Sequence, residues 1–208
     1  MQYGKKLAIF DMDGTLVDSS VTIANAINYV RDKLYLPPMD PDLIIRKIND
    51  PHLNPARYFY KTDHFAADHE TWFSEYYTKH HENELKLYDG IEALLVSLKS
   101  KGLFLAVATN AYRRSTIESL THLGIHDLFD AIACYDDVER GKPYPDMLFK
   151  LLDDLDLSSE EAVFVGDGSR DEMAAKNSDM AYIMVDWGFS DHQNAVKHVE
   201  QLEQKISY

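Results

Sequence analysis

The chain has 208 residues, a length that holds one sizeable core or a core domain with a smaller insertion. With 45% hydrophobic and 27% charged residues and a mean hydropathy of -0.35, its composition is that of an ordinary globular protein and excludes a disordered or fibrous chain. Thirty-five acidic residues against 21 basic ones give a formal charge of -14, which disfavours nucleic acid and anionic membranes as partners.

The first predicted element is KKLAIF, Lys5 to Phe10, an apolar run that stops abruptly at the polar cluster DMDGT; this pattern predicts a buried strand feeding a functional loop. From about Val17 to Tyr88 no strand is predicted, only helical stretches and turns at Pro37, Pro38, Pro41, Pro51 and Pro55. Residues 17–88 therefore form an expected helical insertion, leaving 1–16 and 89–208 as the core. Within it Val21, Ala24, Ile27, Val30 and Leu34 are expected to form one apolar stripe. The aromatics Tyr58, Phe59, Tyr60, Phe65, Trp72, Phe73, Tyr76 and Tyr77 supply a second packing surface.

Beyond the insertion, LFLAVATN (Leu103 to Asn110), AIAC (Ala131 to Cys134), AVFVGD (Ala162 to Asp167) and AYIMVD (Ala181 to Asp186) are predicted strands, most of them ending in polar or acidic residues. Helical spacing separates them, at Ile91, Leu94, Leu95 and Leu98, at Ile117 and Leu120, and at Leu148, Leu151, Leu152 and Leu155; Val196, Val199, Leu202 and Ile206 fit a final amphipathic helix. Alternation of near-continuous apolar strands with helices predicts an α/β fold, a Rossmann-like parallel sheet sandwiched by helices. Ligands then bind beyond the carboxyl ends of the strands, where the polar residues converge.

Asp11 and Asp13 are one residue apart at the end of the first strand, and Gly14 and Thr15 permit a tight turn after them. Two carboxylates this close repel unless a cation occupies their shared field. Magnesium suits such a site because it takes oxygen ligands and keeps waters and a substrate phosphate. Asp167 ends a later strand, and Asp171 follows one helical turn on. Thr109 and Asn110 end the second core strand, and Lys142 precedes a helix that opens near Pro145. Together these residues offer a nucleophile, metal ligands, a hydroxyl donor and a cation for phosphate oxygens, the requirements of phosphoryl transfer. The single cysteine, Cys134, excludes an intramolecular disulfide and is expected inside a strand.

In order, DMDGT (Asp11 to Thr15), the threonine of ATN (Thr109), the lysine of GKP (Lys142) and GDGSRD (ending at Asp171) resemble the four motifs of the haloacid dehalogenase superfamily. The resemblance covers residues 5–20 and 89–186 and implies a hydrolase that attacks a phosphate monoester through an aspartyl-phosphate. It implies Asp11 as nucleophile and magnesium ligand, and Asp13 as proton shuttle whose backbone carbonyl also binds the metal. Asp167 would be a direct metal ligand and Asp171 a more distant or water-mediated one. Thr109, Asn110 and Lys142 would bind the transferring phosphoryl group, with Lys142 also offsetting the charge of Asp11.

Asp13 matches the phosphatases and phosphomutases of the superfamily, whereas its dehalogenases lack an acid there and its transporting ATPases place a lysine directly after the nucleophile. The insertion resembles the mobile helical cap of the phosphoglycolate phosphatase and beta-phosphoglucomutase-like branch, whose loops choose the substrate. Arg46, Lys47, His52, Arg57 and Lys61 are its candidates for holding the far end of a small phosphorylated metabolite. A sugar phosphomutase is the alternative reading, and a signalling receiver or a non-catalytic phosphometabolite binder are further ones. No secretory leader pattern and no run of about 18 apolar residues occurs. The expectation is a cytoplasmic monomer or homodimer that contacts neither membrane nor nucleic acid.

Overall fold

The computed structural model describes residues 4–48, 50, 53–188 and 194–207. The chain divides into two compact units, Met1–Asp18 with Lys86–Tyr208 and Ser19–Leu85.

The first unit is built on five parallel strands: β1 (Leu7–Phe10), then, after β2 (Val17–Asp18) and β3 (Lys86–Leu87), β4 (Phe104–Ala108), β5 (Ala131–Ala133), β6 (Ala162–Gly166) and β7 (Ala181–Met184). Their spatial order is β5-β4-β1-β6-β7, with β1 central and hydrogen-bonded in parallel to both β4 and β6. All four residues of β1 and all five of β6 are buried. A strand covered on both faces has no polar side to alternate with, hence the unbroken apolar runs.

Four helices follow the strands of the sheet: α5 (Ile91–Ser100) precedes β4, and α6 (Arg113–His122), α7 (Asp146–Leu155) and α8 (Ser169–Asn177) fill the later crossovers. Met147, Leu148, Leu151 and Leu152 of α7 and Ala174 and Ala175 of α8 share one buried cluster with Leu7, Ile9, Ala106, Ala108 and Phe164. Leu7 and Ile9 are two apart on one strand and so point to the same face. The C-terminal helix α9 (Val199–Ser207) packs against α5 and buries Leu202 and Ile206. Val196, expected in that helix, precedes it and instead forms a bridge with Val185 beyond the end of β7. Cys134 is buried just past the end of β5.

The second unit contains α1 (Ser20–Lys33), α2 (Pro41–Ile48), α3 (Pro55–Tyr60) and α4 (Ala67–Glu84). Ala24, Ile27, Val30, Ile44, Phe59 and Tyr60 form its core, with Tyr58, Trp72 and Phe73 packed against it. Val21 departs from the expected stripe and is 52% exposed. Val21 and Val30 are nine positions apart, about two and a half helical turns, and so cannot share a face. Phe65 is also largely exposed. Arg31 is buried and donates to the carbonyls of Pro37 and Phe59, which fixes the chain between α1 and α3.

At the two ends of the stretch expected to lack strands, β2 and β3 pair antiparallel as a ribbon, Val17 opposite Leu87 and Asp18 opposite Lys86. Strands of two residues are too short to produce a period-two pattern, so this ribbon was invisible to hydropathy.

Candidate active site

Asp11 follows β1 directly, and its N–H donates to Val165 O at 2.9 Å, extending the ladder to the point where the side chain leaves the sheet. The next residues turn sharply: Leu16 N–H and Val17 N–H both donate to Met12 O at 2.9 Å, and Gly14 adopts φ +81. Gly14 is required twice over, because its φ disfavours a side chain and because a Cβ there would lie 2.2 Å from Asp167 Oδ2. Trp187 Nε1 donates to Thr15 O at 3.0 Å and holds the far side of this turn.

From the neighbouring strand end, β6 delivers Asp167, and α8 begins at once. Asp171 sits at the third position of that helix, where its Oδ2 accepts from Gly168 N at 3.1 Å, and its Oδ1 lies 2.7 Å from Lys142 Nζ. One oxygen each of Asp11, Asp167 and Asp171 falls within 4.8 Å of the others. Asp13 lies outside that trio; half-buried in the turn, its charge acts on Asp167 from further away.

Lys142 enters from the segment between β5 and α7. Its ammonium is buried, 2.6 Å from Asp11 Oδ1, and stands 5.5 Å from the centre of the Phe164 ring. The lysine backbone is held by Asn110: Lys142 N donates to Asn110 Oδ1 at 2.8 Å, and Asn110 Nδ2 donates to Lys142 O at 3.0 Å. Thr109 is buried at the end of β4, and its Oγ1 accepts from Ala111 N at 3.1 Å, which leaves the hydroxyl proton to donate elsewhere. All the core residues singled out in the sequence therefore lie at the carboxyl ends of β1, β4 and β6 or in the segments that follow β1, β4, β5 and β6.

Burial pushes the Asp11 carboxyl well above the usual range; Lys142 opposes this, while Asp171 and Asp167 add to it. Burial and then Asp171 push Asp167 up to about 7. For Lys142 burial works against the charge, but Asp11 and Asp171 outweigh it and hold the ammonium above its ordinary range. Three carboxylates facing one ammonium leave an excess of two negative charges when all are ionised, the charge of one divalent cation. Hard carboxylate oxygens crowded this closely, with a glycine where any Cβ would strike Asp167, fit magnesium.

Several contributors carry no strong sequence signal. Tyr182 OH donates to Gly168 O at 3.2 Å and steadies the segment after Asp167, and Phe164 offers its ring to Lys142. Both sit in strand positions that read only as apolar filling. Gly141 was visible within GKP, but its reason is spatial: a Cβ there would lie 2.6 Å from Asn110 Oδ1.

In the second unit Lys47 pairs with Asp50 at 3.0 Å, Arg57 pairs with Asp63, and Arg46 and Lys61 are exposed. His52 lies outside the described residues. No helix among the described residues is long and apolar enough to cross a membrane.

A Rossmann-like parallel sheet with acidic strand ends and a buried lysine at one edge of the cluster defines a class of α/β proteins that bind ligands beyond the carboxyl ends of their strands. The match is specific: the haloacid dehalogenase-like hydrolase family aligns with residues 8–185, and the chain belongs to that family. It is 32% identical over 193 residues to a phosphoglycolate phosphatase of Chromobacterium violaceum, covering 89% of this chain and 87% of the relative. It is 27% identical over 176 residues to the pyrophosphatase PpaX of Halalkalibacterium halodurans, covering 82% of this chain and 78% of the relative. A crystal structure described as a predicted phosphatase from Clostridium acetobutylicum superimposes with TM-score 0.83 at 27% identity, covering 98% of this chain and 99% of that one. The chain is thus a phosphatase-type member of its family.

Proposed function

We propose that the protein is a magnesium-dependent hydrolase of small phosphate monoesters, phosphoglycolate-like or sugar phosphates, acting through an aspartyl-phosphate. The observation that carries this reading is the Lys142 ammonium held between Asp11 and Asp171, 2.6 and 2.7 Å away. It provides a nucleophilic carboxylate with an adjacent cation that draws in the anion it must attack.

An Asp11 carboxylate oxygen attacks phosphorus, and the bond from phosphorus to the ester oxygen breaks. Asp13 gives its proton to that departing oxygen. Asp13, now a carboxylate, takes a proton from water as the water oxygen attacks phosphorus, and the bond to Asp11 breaks to release inorganic phosphate. Thr109 and Lys142 bind the oxygens of the transferring group throughout. Asp11, Asp167 and the backbone carbonyl of Asp13 would hold magnesium, with Asp171 behind them. Bound magnesium would offset the negative charge of the phosphate and of the carboxylates around it. The unit Ser19–Leu85 is the substrate-choosing insertion in this reading.

Relatives named for phosphoglycolate and for pyrophosphate define the first substrates to assay. Phosphate release from a panel of phosphorylated metabolites and pyrophosphate, with magnesium and again with EDTA, tests the reading. Magnesium-dependent release from at least one monoester, abolished in Asp11→Asn, is the expected result. Interconversion of sugar phosphate isomers without net release would replace hydrolysis by mutase activity.

A further inference from the structure

We propose that Asn110 is a positioning residue that acts through the backbone of Lys142, an assignment that rests on the phosphatase reading of the site. The Thr109 hydroxyl and the Asn110 carboxamide, adjacent in the bend just past β4, have different partners, and that of Thr109 is the Ala111 N–H of the same bend. The target of Asn110 is the peptide backbone of Lys142: its Oδ1 accepts from Lys142 N at 2.8 Å, and its Nδ2 donates to Lys142 O at 3.0 Å.

This pairing joins the segment after β4 to the segment before α7, residues 32 apart in sequence. A lysine side chain is a flexible stem with a point charge at its tip, so its reach is defined only as well as its Cα is fixed. Here the tip must meet Asp11 Oδ1 and Asp171 Oδ1 together, at 2.6 and 2.7 Å. A buried lysine whose backbone N–H and C=O are both held by one side chain satisfies that need without any group of Asn110 touching substrate.

Gly141 supplies an independent observation. A Cβ at position 141 would lie 2.6 Å from Asn110 Oδ1 and 2.8 Å from the Tyr135 ring, so the segment leading to Lys142 approaches Asn110 as closely as a backbone can. Tyr135 is 48% exposed and its ring can move aside, whereas the carboxamide is tied to the lysine. Adding that methyl group therefore disturbs the pairing while leaving the Asn110 side chain in the sequence.

The test compares Asn110→Ala, Gly141→Ala and the double variant in magnesium, following phosphate release alongside amide hydrogen exchange at Lys142. Each single variant should lower kcat about tenfold or more with KM changed less than about threefold, since a lysine misplaced by about 1 Å loses alignment in the transition state. The double variant should be no slower than Asn110→Ala, because both changes break one pairing. Exchange at the Lys142 amide should quicken in every variant. A Gly141→Ala enzyme with parental kcat beside an impaired Asn110→Ala enzyme would overturn the proposal and make Asn110 a direct substrate contact. Multiplying losses in the double variant, or an Asn110→Ala protein with parental kcat and a protected Lys142 amide, would overturn it as well. An inactive parent would instead count against the phosphatase reading, and exchange at Lys142 would still report on the pairing.

Discussion

Lys142 Nζ lies 2.6 Å from Asp11 Oδ1, across 131 residues of sequence, and both groups are buried. Neither charge would be sustained there alone. An isolated carboxylate or ammonium without a partner is expelled from such an environment by its desolvation cost or is neutralised by a proton shift. In the proposed mechanism the pair would make the nucleophile and the cation for its substrate a single unit, and Asp171 also lies 2.7 Å from the ammonium.

Replacing the ammonium while keeping the apolar stem isolates this effect. Lys142→Met should lower phosphate release by about 100-fold or more, the scale seen when one preorganised charge-stabilising donor is removed. It should also destabilise the fold by about 3 kcal/mol at neutral pH, because two buried carboxylates lose their counter-charge. Turnover and urea denaturation measured together test both effects. A Lys142→Met protein with parental turnover would remove the lysine from the chemistry.

Metal binding should be visible without turnover. Saturating magnesium at about 100 times its Kd should add about 2.7 kcal/mol of stability. Asp167→Asn should reduce that gain, since it removes one of the three converging carboxylates. Thermal melts with magnesium and with EDTA measure it, and equal gains in the two proteins would place the ion elsewhere.

Much of this site was legible because chemistry and chain order coincide. Asp11 and Asp167 each end an apolar run, which marked them in the sequence, while the side-by-side pairing of β1 and β6 that makes their carboxylates neighbours is supplied by the structure. The pairing of Asn110 with Lys142 and the ring of Phe164 under the ammonium were not legible. They depend on which strands are adjacent and on the course of a segment, which periodicity does not record. In the second unit the stripe from Val21 failed at its first member because steps of three residues drift around a helix. The ribbon of β2 and β3 was missed because two residues carry no period.

Gly14→Ala should separate backbone effects from metal effects. The φ of +81 makes the substitution unfavourable by about 1 kcal/mol, and the Cβ would fall 2.2 Å from Asp167 Oδ2. Asp167 must move, so magnesium affinity should fall about tenfold or more, a loss in the range found for disturbed metal surroundings. Magnesium titration by calorimetry reads this directly. Affinity equal to the parent's would show that Asp167 can shift without cost to the ion.

The pH dependence of the metal-free protein has a definite sign. Burial and the neighbouring Asp171 push Asp167 up to about 7 in the folded chain, whereas an unfolded aspartate titrates near about 3.9. Asp11 is raised in the same direction, by burial first. The folded form holds these protons more tightly than the unfolded one, so the Asp167 contribution to stability is complete below about pH 4 and lost as pH rises through about 7, and Asp11 contributes in the same direction. Asp137 and Glu161, lowered chiefly by hydrogen bonds from Arg113 and Lys6, act in the opposite sense, but only below about pH 4.5. In EDTA the protein should therefore melt at a lower temperature at about pH 8 than at about pH 5, and Asp167→Asn should flatten the difference. Magnesium held by these carboxylates, as proposed, would compete with the protons for the same oxygens and should stabilise the protein more at the higher pH. Melting temperatures across this range in EDTA and in magnesium decide the matter: metal-free stability that rises from pH 5 to pH 8 would mean that Asp11 and Asp167 are ionised without a cation, and that Lys142 alone balances the cluster.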